Sequence, residues 1–138
     1  MEPLPLRGLR HLALKVSDMK RARAFYEGLL GMRVVWEPDP DNVYLSSGCD
    51  NLALHRVAHR VEKPDSVLDH LGFLVEKMDQ VPEIQRQVEN EGIRIVHPFR
   101  IHRDGSASFY MADPEGNVIQ ILYEPSLSAQ RFVENPPP

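Results

Sequence analysis

An internal repeat constrains this chain more than any other feature. Leu9 to Met19 aligns without a gap on Leu68 to Met78, with identity at Leu9/Leu68, His11/His70, Leu12/Leu71, Val16/Val75 and Met19/Met78. A second match follows in the same order, where Gly31-Met32-Arg33-Val34-Val35 pairs with Gly92-Ile93-Arg94-Ile95-Val96. Two copies make a paired-module fold and exclude a solenoid, which needs three or more stacked units. At 138 residues and 42% hydrophobic content, the chain is long enough for one sizeable core and short for two. The expectation is a single domain over residues 8–124, with module one at 8–57, a polar linker at 58–66 and module two at 67–124.

Each copy opens on an alternating apolar stretch, His11 to Val16 and His70 to Val75, whose period of two predicts a strand. In the first copy Ser17 or Asp18 caps a helix, Ala22, Phe25, Tyr26, Leu29 and Leu30 form its buried stripe, and Gly31 stops it. In the second, Val81, Ile84 and Val88 repeat that spacing around Pro82, and Gly92 is the stop. Strand-like segments follow at Met32–Glu37, Val43–Ser46 and Leu52–Val57, then at Arg94–Pro98, Ser106–Met111 and Val118–Glu124. Turn-prone clusters separate them: residues 39–42, 47–50, 103–105 and 113–116. The order is βαβββ taken twice, an α+β fold of paired modules with curved mixed sheets. Residues 125–138, ending in three prolines, read as an extended tail.

Strand parity separates two faces. His11, Ala13 and Lys15 share one face of the first strand, while Leu12, Leu14 and Val16 line the other and should meet the helix. His70 likewise shares a face with Gly72 and Leu74. Small neighbours beside each His leave room for a ligand. The net charge of -4, with basic residues scattered, argues against a nucleic-acid face. There is no apolar run of the roughly 18 residues needed to cross a bilayer, so a cytoplasmic, membrane-free location is expected. The single Cys49 builds neither an internal disulfide nor a thiolate zinc site. No phosphate-binding Gly loop or nucleophile elbow is present. His59 and His97 have no counterpart in the repeat and read as surface residues, and Phe25 and Tyr26 read as core.

The doubled βαβββ order, the His opening each module, Phe25-Tyr26 followed by Leu29-Leu30-Gly31-Met32, and Phe109-Tyr110-Met111-Ala112-Asp113-Pro114-Glu115-Gly116-Asn117 resemble the vicinal oxygen chelate superfamily. Its members include glyoxalase I, extradiol dioxygenases, fosfomycin and bleomycin resistance proteins and methylmalonyl-CoA epimerase. The resemblance spans about Gly8 to Glu124 and implies a glyoxalase-like fold in which half-barrels enclose a ligand site. It also implies frequent homodimers, some with cavities built from modules of two chains. Activity differs between members, and some only bind a ligand.

Metal-binding members place a Glu four residues after the Gly of the Asp-Pro-x-Gly turn, and here that position is Gln120. Two His and a carboxylate leave open positions for substrate. Gln offers a neutral amide oxygen instead, so weaker metal affinity is expected and a general-base role is lost. The resemblance thus implies His11, His70 and Gln120 as ligands of a divalent cation, whether iron, zinc, nickel, manganese or cobalt. A fourth ligand would come from Leu52–Val57, at Ala53 or at His55. Tyr110, ten residues before Gln120, and His102 stand near places where extradiol dioxygenases carry catalytic or supporting groups. Arg100 and Arg103 flank His102 and could meet an anionic substrate group. The function implied is a glyoxalase- or dioxygenase-type metalloenzyme acting on vicinal oxygens of a small substrate. The alternative is a metal-free sequestering protein of the bleomycin-resistance kind.

Overall fold

In a computed structural model, residues 9–62 and 68–128 are described. They fall into two compact units that divide between Val61 and Glu62. No helix among the described residues is long and apolar enough to cross a membrane.

The first unit holds β1 (His11–Val16), α1 (Met19–Arg23), β2 (Arg33–Asp39), β3 (Asn42–Ser46) and β4 (Asn51–Arg56). Its sheet order is β1-β4-β3-β2, with β1 parallel to β4 and the other pairs antiparallel. Leu14 and Val16 are buried while His11, Ala13 and Lys15 are exposed, as the alternation requires. The Asp18 side chain accepts the Arg21 N–H at 3.0 Å and so caps α1. The helix then widens to a π-helix over Ala24–Leu29, with Leu30 N–H donating to the Phe25 carbonyl at 2.9 Å. Apolar spacing alone does not reveal that widening, which puts the adjacent Phe25 and Tyr26 both in the core at 4% and 0% exposure. Gly31 ends the segment at φ +72, a conformation that a side chain would strain.

The second unit repeats the plan with β5 (Leu71–Leu74), α2 (Gln80–Asn90), β6 (Ile95–Ile101), β7 (Ala107–Ala112) and β8 (Val118–Tyr123). The order is β5-β8-β7-β6, again with one parallel pair, β5 and β8. Val81 and Val88 of α2 are buried, and the helix packs on β6, β7 and β8. Ala107, Phe109, Met111, Ile119 and Ile121 form the facing core, each at 4% exposure or less. The two sheets bear out an α+β fold of paired modules with mixed sheets.

Three local expectations are corrected. β5 is shorter than 70–75, so His70 stands one residue ahead of the strand. β2 and β6 run through Pro38 and Pro98 to Asp39 and Ile101, because register shifts in both strands absorb residues that cannot donate to the ladder. Residues 125–128, expected as extended tail, form a helical turn, α3 (Pro125–Ser128). Its causes are the Glu124 carboxylate, which accepts the Leu127 N–H at 2.8 Å, and the Ser128 N–H, which donates to the Glu124 carbonyl at 2.7 Å. The remaining tail and residues 63–66 of the expected linker lie outside the described residues.

Candidate functional site

The turn at residues 113–117 fixes what lies opposite what in the second unit. Asp113, 5% exposed, accepts the Glu115 and Asn117 N–H groups at 2.9 and 2.7 Å on one oxygen and Asn117 Nδ2 at 2.7 Å on the other. With Gly116 at φ +87, this closes a tight loop that sets Ala112 against Val118, and hence Tyr110 against Gln120. Two rows of side chains then cross all four strands on the face opposite the core. One runs Gly72, Gln120, Tyr110, His97, and the next runs Leu74, Leu122, Ser108, Arg100.

His97 reaches that face only because β6 is irregular, whereas Arg100, five residues past core-facing Ile95, holds it after two slips that cancel. The register slips between Ile95 and His97 and again between His97 and Arg100, and each extra residue turns the following side chain over. His97, expected as a surface residue, is exposed but lines a cavity of about 600 Å³ together with His70, Arg100, His102, Ser108 and Tyr110. The Tyr110 ring stands edge-on to His70 at 5.3 Å and to His97 at 5.5 Å. Its hydroxyl accepts Gln120 Nε2 at 2.9 Å, so the phenolic proton remains available for donation. Gln120 is nearly buried and does not line that cavity. Its Oε1 faces Gly72, where a Cβ would stand 3.5 Å away.

His70 Nδ1 contacts the Asp69 carboxylate, and a carboxylate only accepts. Nδ1 therefore carries a proton and Nε2 presents a lone pair. His102 Nε2 lies 3.0 Å from Ser108 Oγ, at the start of a loop pinned by Asp104. That carboxylate accepts Ser106 Oγ at 2.7 Å and Ser106 N–H at 2.9 Å. The hydroxyl bond, then the backbone bond, holds the Asp104 carboxyl below the usual Asp range.

In the first unit the corresponding rows are Ala13, Ala53, Tyr44, Trp36 and Lys15, His55, Asn42, Asp39. His11 Nδ1 lies 2.7 Å from Asn51 Oδ1, so its Nε2 is likewise the free nitrogen. His55 shares the His11 face but pairs with Lys15, four residues along the strand and about 13 Å away. Its Nδ1 contacts Asn42 Oδ1 at 2.6 Å. Ala53 occupies the place in the repeat that Gln120 holds in the second unit, and His55 lies two residues further along the same strand face.

The structure thus brings His70, His102 and Tyr110 around one cavity with Gln120 beside it, and sets His11 and His55 on one sheet face in the other unit. Arg103 is exposed and does not line the cavity. Reading the sequence missed Asp69 and Asn51 as partners of the two repeat histidines, and missed Ser108. Asp69 was visible as the neighbour of His70, whereas Asn51 emerges only from strand register. Among the described residues no three His, Cys, Asp or Glu side chains converge as a metal-binding group. An imidazole Nε2 and an amide oxygen are each donor types suited to a divalent cation of intermediate softness.

Residues 8–121 match the model of the Glyoxalase/Bleomycin resistance protein/Dioxygenase superfamily. The chain belongs to this superfamily. It is 31% identical to a glutathione transferase, FosA, of Serratia marcescens, over 91% of this chain and 86% of that one. It is 29% identical to a 1,2-dihydroxynaphthalene dioxygenase of Sphingobium xenophagum over 89% of its own length, and it spans 41% of that longer relative. Among solved structures, a glyoxalase/dioxygenase from Nostoc punctiforme superposes with a TM-score of 0.74 at 22% identity, covering 91% of this chain and 96% of that one. A lactoylglutathione lyase from Agrobacterium tumefaciens gives 0.73 at 22% identity, over 92% of this chain and all of that one. At such identities the two structures speak for the shared fold.

Proposed function

We propose that this superfamily member is a metal-dependent enzyme acting on a small substrate with vicinal oxygens. Nε2 of His11, Nε2 of His70 and Oε1 of Gln120 are the protein ligands of a divalent cation, one of iron, zinc, nickel, manganese or cobalt. The supporting observation is the matched anchoring of the repeat histidines. In each, Nδ1 is engaged by a neighbouring oxygen, His11 by Asn51 and His70 by Asp69, which orients the ring and leaves Nε2 outward, as metal-binding imidazoles require. His55 is not in the set, since its Nδ1 is held by Asn42 one row away. A divalent cation held there supplies Lewis acidity to adjacent substrate oxygens. Tyr110, anchored by Gln120, is placed to donate its phenolic proton, and His102 with Ser108 orients the substrate from the far side of the cavity. In solution the chain acts as a cytoplasmic homodimer, an assembly that light scattering would check.

The second reading is a metal-free binding protein. It is favoured by the amide at position 120, whose NH₂ is already committed to Tyr110 and whose oxygen brings no charge. Metal content measured after purification without chelator, under separate iron, zinc, nickel, manganese and cobalt supplements, tests the first reading. About one equivalent of one metal is expected, and none under any supplement would remove it. Gln120→Glu separates the two: at least tenfold tighter metal binding follows from an added charge on a working site. A ligand-only cavity would leave metal affinity unmoved.

A further inference from the structure

We infer that the cavity of the second unit carries an oxyanion subsite centred on Arg100, with His102 and Ser108 beside it, so that its ligand has an apolar body and a carboxylate or phosphate-type head. This deepens the proposed function by naming a substrate class. It rests on that cavity being the substrate cavity and needs no metal.

Arg100 lines the cavity and, among the described residues, its guanidinium has no hydrogen bond or ion pair with any side chain. The acidic residue in the same lining, Asp69, is engaged by His70. The repeat supplies an internal control. The place of Arg100 is taken in the first unit by Asp39, and the place of Ser108 by Asn42. Asp39 and Asn42 satisfy each other, with Asn42 Nδ2 donating to both carboxylate oxygens at 2.9 and 3.1 Å, and Asp39 also accepts the Asp41 N–H at 2.8 Å. Asp39 is closed on Asn42, whereas Arg100, in the matching place, makes no such bond with Ser108.

The neighbours of Arg100 extend the same chemistry. Ser108, 1% exposed, fixes the His102 ring through Nε2, which leaves His102 Nδ1 for a ligand. Planar guanidinium geometry favours a two-point grip on a carboxylate or phosphate. The same cavity is lined by Val96, Pro98, Phe99 and Val118, apolar residues suited to the body of a ligand whose head meets Arg100. An aromatic or aliphatic acid matches that lining, and a neutral polyol does not.

The test is a titration of the full chain, stripped with chelator, with phenyl phosphate, benzoate and phenol, followed by NMR of the imidazole and backbone signals of His97, His102 and Ser108. Both anions, or one of them, should shift these signals while phenol does not, and the stronger of the two identifies the head group. Arg100→Ala should weaken the binding at least tenfold, Arg100→Lys by less, and Arg103→Ala not at all. Equal binding of phenol, no response to either anion, undiminished binding by Arg100→Ala, or an equal loss in Arg103→Ala would each overturn the subsite. Because the protein is metal-free throughout, a failed metal reading cannot mimic any of these results.

Discussion

The two units share a core and differ on the opposite face, and the contrast separates what folds the chain from what equips it. On the core side the matched positions remain large and apolar: Leu45 and Met111, Leu52 and Ile119, Leu54 and Ile121 are all nearly inaccessible. On the other side the repeat has Trp36 where the second unit has His97, Asp39 where it has Arg100, and Ala53 where it has Gln120. In the first unit's row, His55, Asn42 and Asp39 are tied together by their own hydrogen bonds. Among the described residues, the second unit's rows leave the Arg100 guanidinium and the Gln120 amide oxygen without a side-chain partner. Duplicated scaffolding thus tolerates divergence where side chains do not pack against the core.

The largest effect should come from crossing between faces within one strand. Phe109→Ala, at a fully buried core position, should cost about 3–5 kcal/mol by urea denaturation. Tyr110→Phe, its neighbour on the other face, should cost about 1 kcal/mol through the lost Gln120 bond. Similar costs for the two would erase the distinction between the faces. Next come the paired turns. Asp113→Ala strips three bonds from a buried carboxylate and should cost about 2–3 kcal/mol. Asp50→Ala, in the more open turn that holds the Ser47 N–H, should cost about 1 kcal/mol. Equal values would mean that the 113–117 loop does not set the β7–β8 register.

Ala53→Gln, which copies Gln120 into the first unit, should lower stability by about 1–3 kcal/mol, because Ala53 is fully enclosed. A neutral result in thermal melts would show room there that the contrast denies. The smallest effect concerns the loop beside His102. Since the folded Asp104 carboxyl sits below its ordinary value, its contribution is present above the ordinary Asp range and is lost as pH falls through the lowered value. Asp104→Asn should therefore flatten the acid limb by lowering stability slightly at neutral pH while leaving it little changed in acid. A steeper acid limb would reverse the assigned sign.

Much of the scaffold was legible in the residues, because parity and helical spacing are local. The repeat at His11 and His70 placed both first strands, and Gly31 and Gly92 marked the ends of the helical segments. Irregularities were the unreadable part. A register slip in β6 moves His97 from bland surface to cavity wall, and its sole outward sign is Pro98, a residue that cannot donate to a ladder. His55 against Ala53 hinged on a one-residue difference between the β3–β4 and β7–β8 turns, which sequence alignment of the modules leaves open. Asn51 reaches His11 across two strands that pair in parallel, a long-range relation with no local trace. Asp69 needed no such relation, only attention to which nitrogen of the adjacent imidazole it would occupy.

The most direct measurement is an anomalous-scattering map from crystals of the full chain grown with manganese or zinc. The expected peak lies about 2.0–2.3 Å from His70 Nε2, with His11 Nε2 and Gln120 Oε1 completing the protein ligands. A map with no peak at His70, or one in which the metal sits on Nδ1 after displacing Asp69, would contradict the metal site at its root.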